Sequence, residues 1–464
     1  MKNFYLGIDF GTSSIKAILQ SLDGEKHKLK VNYLSNTVSA YKSALKEIIS
    51  LSLQKINGGN ILAISFSSQV GTYIINEQDV ISWQSPVSKD ELKYIKKKIT
   101  KERFVKEISM PHPDIISYPL PRLLYIKSKY GNGATILQPK DLLIKELIGE
   151  AVTDVYSMRG IVNLQTSKYA KGIMEELGLD FVLPKVKFPT DLAGCVTPEA
   201  STEYNLPIGT KIFLGCNDFY AGLIGMGIYS IGDAFELSGT SEHIGYISSS
   251  LDEESHVSGA FFNGFCNYGG TKSSGTSCAF AINNFGIEDL DFDALITSNP
   301  PIFLPYLQGE RAPIYDENAR GVYFGLNEKT TKSEMAYATL EGVVFSLYDI
   351  IKSMNAPKFN RLICGGGSSS DKLMAKLKAE LFDAEIINVV ENDASALGAV
   401  ILAMVGNGEF LDVQTAIKHL VEFKGKTKPS GKYRQLLFKR FSVYRSIYNN
   451  LKDTFKEFSS LKEN

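Results

Sequence analysis

The stretch Phe4-Tyr-Leu-Gly-Ile-Asp9-Phe-Gly11-Thr12-Ser13-Ser14-Ile-Lys16-Ala-Ile-Leu-Gln20 sets the reading of the whole chain. Phe4 to Phe10 is an apolar run of strand length. Gly11 to Ser14 is turn chemistry, and Ile15 to Gln20 is a second β-rich run closed by Asp23-Gly24, so the stretch predicts a hairpin. Its turn suits a phosphorylated ligand. Gly11 lets the backbone approach closely, and a tight turn aims successive N–H groups at phosphate oxygens. The hydroxyls of Thr12 and Ser13 add donors, and Lys16 adds a positive charge. Asp9, at the strand's end, is placed to hold a magnesium ion directly or through water. A hairpin capped by small residues is the plainer reading of Gly-Thr-Ser. The acid two residues before Gly11 and the cation five after it put the ligand reading level with that one.

The second half repeats this grammar. Ile212 to Cys216 is a strand running into Asn217-Asp218, and Ala234 to Ser238 enters Gly239-Thr240-Ser241 as the first strand enters Gly11-Thr12-Ser13. Two such turns suggest a duplicated domain. A third turn, Gly365-Gly366-Gly367-Ser368-Ser369-Ser370, lies between the strand Arg361 to Cys364 and a helix marked by Leu373, Met374, Leu377 and Leu381. It offers bare backbone near a helix N-terminus, or else only a turn needing positive φ. Two facing Gly-Thr-Ser loops would clamp a triphosphate between two domains. Neither GxxxxGK[ST] nor GxGxxG occurs, which disfavours P-loop nucleotidases and dinucleotide-binding dehydrogenases.

Elsewhere, Tyr41, Leu45, Ile48, Ile49 and Leu53 predict a helix, and Ile61 to Phe66 a short buried strand. Residues 91–107 read as one amphipathic helix with a solvated charged face. Pro111, Pro113, Pro119 and Pro121 predict an irregular loop over 110–121. Phe441, Tyr444, Tyr448, Leu451 and Phe455 give a helix with an aromatic face that packs on the body.

Composition bounds the function classes. The 464 residues carry 50 Lys and Arg against 51 Asp and Glu, a net charge of −1, with 44% hydrophobic and 22% charged residues. This is globular composition for two or three domains, without a general basic field for nucleic acid. No apolar run approaches the roughly 18 residues of a membrane span, and no signal peptide is read at the start. Cys195, Cys216, Cys266, Cys278 and Cys364 are scattered and lack CxxC spacing, which fits reduced thiols in a cytoplasm.

Further motifs carry a family resemblance. Phe303-Leu-Pro-Tyr-Leu-Gln-Gly309-Glu310-Arg311-Ala-Pro313-Ile-Tyr-Asp316 through Arg320-Gly-Val-Tyr-Phe-Gly325-Leu326 resembles the PYLxGERxP…GxxxGL signature of the FGGY carbohydrate kinases. Leu137-Gln-Pro-Lys140-Asp141, Gly149-Glu150-Ala-Val-Thr153-Asp154 and Glu391-Asn-Asp-Ala-Ser-Ala-Leu397-Gly398-Ala399 add to it. The resemblance runs from the Asp9 hairpin to about Met404. It implies an α/β fold of two ribonuclease-H-like (actin-like ATPase) domains flanking a central catalytic cleft. Residues 1–230 would hold the sugar and the catalytic acid, and residues 231–464 most of the nucleotide. The reaction implied is transfer of the γ-phosphoryl group of ATP, with Mg2+, to a hydroxyl of a small sugar. A ketopentose such as xylulose is the leading acceptor. Gluconate, glycerol or another polyol is the alternative, as is a non-catalytic nucleotide-switched member.

Position by position, Asp218 matches the catalytic aspartate, which must accept the hydroxyl proton and align the oxygen. For a lone Asp there, a helix N-cap is the plain alternative. Gly11, Thr12, Ser13 and Lys16 match the first phosphate site, and Asp9 the magnesium-side acid. Gly239 and Thr240 match the second phosphate loop, and Gly275 a glycine approaching the nucleotide. Gly365, Gly366 and Ser370 fall at the adenosine part. Glu310 and Arg311 read as structural, in an ion pair or a loop anchor. The departures lie in the sugar pocket. Where the family usually has Met-His, this chain has Val70-Gly71 beside Gln69, and Trp-x-Asp-x-Arg becomes Trp83-Gln-Ser-Pro-Val87. Gln69, Val70, Gly71, Trp83, Asn217 and Asp218 are therefore the acceptor-site candidates, with Gln69 or a backbone group replacing the missing histidine. A cytoplasmic enzyme without nucleic-acid or membrane partners is expected, and a homodimer is an assembly the family allows.

Overall fold

In the computed structural model, which describes residues 2–111, 115–238, 242–286, 290–366 and 371–461, the first hairpin is formed. Strand Asn3–Phe10 pairs antiparallel with Ser14–Ser21 and places Asp9 opposite Lys16. The Gly11 N–H donates to the Ser14 carbonyl at 3.0 Å and closes the turn. The sheet built on this hairpin has the order Leu192–Cys195, Lys211–Asn217, Asn60–Ser68, Asn3–Phe10, Ser14–Ser21, Lys26–Asn32. Its two central junctions are parallel and the others antiparallel. Parallel strands covered on both faces explain the near-continuous apolar runs at Phe4–Ile8 and Ile61–Phe66.

A second sheet contains, in order, Gly264–Thr271, Glu242–Ser248, Ala234–Ser238, Arg361–Gly366, Glu385–Val389 and Phe423–Thr427. Counting from Gly264–Thr271, two antiparallel junctions are followed by two parallel ones. Counted inward from Lys26–Asn32, the first sheet runs the same way. The repeated Gly-Thr-Ser turns thus mark a repeated five-strand sheet, and both come directly after the strand that starts it. The fold is mixed α/β.

The chain divides into two compact units, Met1–Tyr229 with Gly259–Asn263 and Asp393–Val421, and Ser230–Ser258 with Gly264–Asn392 and Glu422–Asn464. This partition differs from a single division at residue 230, because the helix Ala394–Gly406 returns to the first sheet. There it packs against the helix Asp218–Gly225 so closely that a Cβ at Gly398 would lie 1.9 Å from the Ala221 carbonyl oxygen. The Ala-Leu-Gly-Ala run is what lets two helices meet at backbone distance. In the second unit, the helix Arg434–Ser460 buries Leu437, Phe441, Tyr444, Ile447 and Phe455, as its aromatic spacing predicts.

Two local expectations are corrected. The amphipathic stretch is two helices, Lys89–Lys98 and Lys101–Ile108, because Ile99 is extended and the Thr100 side chain accepts from the Arg103 N–H as a new N-cap. The proline-rich loop also ends earlier than expected. Pro119 and Pro121 lie at the start of the helix Pro119–Tyr130, where a missing N–H is no loss. Pro113 lies outside the described residues.

Candidate active site

The site is assembled from strand ends of the first sheet. Asp9 faces Ser67 on the neighbouring parallel strand, and Ser67 faces Cys216 on the next, so Asp218 lies two residues beyond that row. The Ser67 hydroxyl donates to Asp9 Oδ1 at 2.8 Å. Burial pushes the Asp9 carboxyl up to about 7, and the charge of Asp218 adds to the rise. Burial likewise pushes Asp218 up to about 6, against the Phe219 N–H and the Arg159 charge, which favour its ionised form. Both carboxyl groups are crowded by protein yet keep partial exposure. Such an arrangement suits groups that exchange a proton or accept a cation near neutral pH.

The plain alternative for Asp218 is set aside by its neighbour. The N-cap of the helix Asp218–Gly225 is Asn217, whose Oδ1 accepts from the Tyr220 N–H at 2.9 Å. Asn217 Nδ2 also donates to the Tyr156 carbonyl at 3.2 Å, so both polar atoms of this buried side chain are engaged within the protein. Asp218 accepts from the Phe219 N–H at 2.8 Å. Lys16 Nζ pairs with Asp393 Oδ1 at 2.8 Å. Asp393 stands at the start of the returning helix, within the quoted Glu391-Asn-Asp motif, so that motif brings a third acid to this corner. Among the described residues no group of three or more His, Cys, Asp or Glu could hold a metal ion. Asp9, a hard oxygen donor raised by burial and by the charge of Asp218, fits a magnesium ion that arrives with phosphate oxygens.

The acceptor candidates form a wall beside this corner. Thr12 Oγ1 donates to Gln69 Oε1 at 3.0 Å and accepts from Trp83 Nε1 at 3.2 Å, so two acceptor candidates meet a phosphate-site candidate. Trp83 is 38% exposed, which removes the core role as its alternative. Its loop is held by Arg122, a fully buried residue that the sequence did not single out. One Arg122 nitrogen donates to the carbonyls of Ser82, Trp83 and Ser85 at 3.4, 3.3 and 2.8 Å. Val70 and Gly71 line a cavity of about 120 Å3 with Tyr73, Ser117, Tyr118, Ser157 and Arg159. Gly71 has φ +83°, and a Cβ there would sit 3.0 Å from the Ser117 side chain and backbone. Arg159 was also missed. The only hint was that it lies five residues after Asp154 in a quoted motif. Asp154 pairs with the fully buried Lys140 at 2.9 Å, and its other oxygen accepts from the Tyr156 and Ser157 N–H groups at 2.9 Å. Gln138 Nε2 adds a 2.7 Å bond to the Ser157 carbonyl. These two signature stretches therefore brace the turn that carries Ser157 and Arg159.

In the second unit, Gly239, Thr240 and Ser370 lie outside the described residues. The strands leading to them are adjacent, with Ser238 opposite Gly366 and the Ser238 hydroxyl donating to the Gly365 carbonyl at 3.0 Å. Gly275 is the first residue of the helix Gly275–Phe285. Glu310 is the expected loop anchor: its carboxylate accepts from the Thr271 hydroxyl at 2.6 Å and from the Lys272 and Arg311 N–H groups at 2.7 and 2.6 Å.

Fold and site together describe a sugar-kinase type of molecule, and the matches to known proteins agree. Residues 4–225 match the N-terminal domain and residues 237–406 the C-terminal domain of the FGGY family of carbohydrate kinases. The chain belongs to that family and is a carbohydrate kinase of the phosphotransferase class. It is 26% identical to a xylulose kinase of Lactococcus lactis over 96% of this chain and 97% of that one. Two solved structures from Lactobacillus acidophilus, a gluconate kinase and a ligand-bound xylulose kinase, each superpose with a TM-score of 0.86 at 26% identity. The former covers 99% of this chain and 100% of its own, the latter 98% and 100%. Among the described residues, no helix is long and apolar enough to cross a membrane.

Proposed function

We propose that the chain transfers the γ-phosphoryl group of ATP to a hydroxyl of a small sugar, with a ketopentose such as xylulose as the first acceptor and gluconate as the second. One observation carries the reading. Asp218 leaves the helix cap to Asn217 and sits with Asp9 at the ends of parallel strands. Ionised Asp218 accepts the proton of the acceptor hydroxyl as that oxygen bonds to the γ-phosphorus, and the bond from phosphorus to the bridging oxygen of ADP breaks. The proton then leaves Asp218 for solvent. Asp9 is the residue that would hold the nucleotide's magnesium ion, which would neutralise charge developing on the phosphates. Gly11, Thr12, Ser13 and Lys16 would cradle phosphate in the first unit. Gly239, Thr240, Gly275, Gly365, Gly366 and Ser370 would do so for the rest of the nucleotide in the second. Gln69 and the Trp83 indole would supply hydrogen-bonding groups and an aromatic face at the acceptor, in place of the absent Met-His pair. Cytoplasmic location accords with this chemistry, because ATP is the phosphoryl donor.

A coupled ADP-release assay over ketoses, polyols and sugar acids tests the reading. At least one acceptor should raise turnover far above the ATP-only rate. A flat panel would leave the nucleotide-switched binding alternative in its place.

A further inference from the structure

The second unit holds a cavity of about 250 Å3 whose lining contains none of the candidate site residues. Three segments close around it. The helix Lys332–Ser353 contributes Asp349 and Ser353, one turn apart. The helix Arg434–Ser460 contributes two more such pairs, Tyr444 with Tyr448 and Arg445 with Asn449. Tyr306 and Pro313 come from the signature stretch. Asp349 is the unusual member. It is 4% exposed, and its one ion-pair or hydrogen-bond partner among the described residues is Arg445, whose Nε lies 3.3 Å from Asp349 Oδ1. Burial pushes its carboxyl up to about 6, against the Arg445 charge, so it is ionised at neutral pH with acceptor capacity to spare. The tyrosines are fixed in place. The hydroxyls of Tyr306 and Tyr444 bond each other at 2.6 Å, and that of Tyr448 donates to Asp316 Oδ2 at 3.0 Å. The Tyr306 and Tyr448 rings meet edge to face with their centres 5.8 Å apart.

Size and charge together select the ligand. Drug-sized pockets run from about 300 to 1,000 Å3, so this one suits a monosaccharide or short polyol and is small for a nucleotide. Among the described residues that line it, only Asp349 and Arg445 are charged, and they cancel each other. An anion such as phosphate would meet Asp349 as well as Arg445, and an alkylammonium would meet Arg445. A zwitterion would have to shed water from two full charges to join a pair already neutralised within the protein. That requirement is absent for vicinal hydroxyls. One donates to the carboxylate while its neighbour accepts from the guanidinium, and Asn449 adds an amide that does both. Aromatic and proline surface then packs against the C–H groups of the carbon chain. We propose that this cavity is a second carbohydrate site, which binds a neutral sugar or polyol of about five or six carbons through Asp349 and Arg445. It shares no residue with the acceptor wall, which belongs to the first unit.

Equilibrium dialysis of the full-length protein against radiolabelled xylitol counts the sites. Two xylitol molecules per chain are expected, one at the acceptor wall and one here. Asp349→Asn keeps the shape and puts an amide where an acceptor is needed. It should weaken one site about tenfold to a hundredfold, the scale of a hydrogen bond to a charged group. Arg445→Gln, at a side chain 57% exposed, tests the pair without touching the core and should weaken the same site to a similar degree. Gln69→Ala should weaken only the other. Unlabelled glucitol should displace label from the Asp349 site, whereas inorganic phosphate, methylammonium and glycine at equal concentration should not. Stoichiometry and affinity unchanged in both cavity variants would overturn the proposal. Displacement by phosphate, methylammonium or glycine as strong as by glucitol would do the same. One xylitol per chain, lost in Gln69→Ala and kept in Asp349→Asn, breaks this proposal alone. The opposite pattern, one xylitol lost in Asp349→Asn and untouched by Gln69→Ala, upholds it and counts against the acceptor reading.

Discussion

The two units carry sheets of the same order and handle charge in opposite ways. In the first, the acids stand at strand ends. Asp9 and Asp218 keep partial exposure, are raised toward neutrality by burial, and have Lys16 and Arg159 nearby. In the second, the acid of the starting strand lies inside it. Glu236 pairs with Lys378, both are almost wholly buried, and the Cys364 thiol adds a 3.4 Å contact. Burial pushes Glu236 up, but Lys378 beside it holds it below the usual carboxylate range. Burial and the charge of Glu236 together push the adjacent Glu242 well above it. One sheet thus leaves its acids partly exposed at strand ends while its repeat pairs one internally. The scaffold is repeated, and the position of an acid along the strand decides whether it stays accessible or is paired in the core.

The largest effect should come from the first unit. Asp218→Asn should lower kcat about a thousandfold, the scale of a general base, while ATP affinity measured by calorimetry stays within a few-fold. Equal loss of both would return Asp218 to a structural role and erase the contrast between the units. Removing Lys378 should act on stability instead. Lys378→Met leaves Glu236 buried and unpaired and should cost about 3–5 kcal/mol in urea unfolding, with much of it regained in Lys378→Met/Glu236→Gln. A loss below about 1 kcal/mol would show that the interior pair is no keystone.

The pH profile sharpens the same contrast. Asp218 must be ionised to take a proton and titrates at about 6. With nucleotide saturating, kcat/KM for the acceptor should therefore be level above that value and fall about tenfold per pH unit below it. Asp218→Asn should flatten the limb. Smaller again is Arg122→Met, which releases the three carbonyls of the Trp83 loop. It should raise the acceptor KM about tenfold with little change in nucleotide KM. The smallest is Trp83→Phe, which keeps an aromatic face and deletes the Nε1 donor to Thr12. A rise in acceptor KM of about threefold is expected from one neutral hydrogen bond.

Much of the fold was legible because it is written in local chemistry. Apolar runs of strand length and Gly-Thr-Ser turns give the hairpin, and their recurrence at Gly239 announces the second sheet. What stayed hidden depends on contacts far apart in sequence. Nothing local to Asp393 says that its helix returns to the first unit and pairs with Lys16. Asp9, Lys16, Gln69 and Trp83 stand out in the sequence because strand ends and the family motifs point at them. Arg122 and Arg159 were missed because an arginine in a helix or a turn looks the same whether it faces solvent or is sealed beneath a loop. The misreading of Pro119 has a similar cause. A proline breaks a helix interior and begins a helix equally well, and the burial of Leu120, Leu123 and Ile126 on one face is what makes Pro119 a beginning.

Trp83 has a further use. It is the sole tryptophan among the 464 residues, and its half-open indole is tied by Nε1 to the hydroxyl of Thr12 at the candidate acceptor wall. The molecule therefore carries its own optical label at the place where an acceptor would arrive. Emission excited selectively at the indole reports that single location, so arrival of each sugar can be tracked by stopped flow without nucleotide, coupling enzymes or dye.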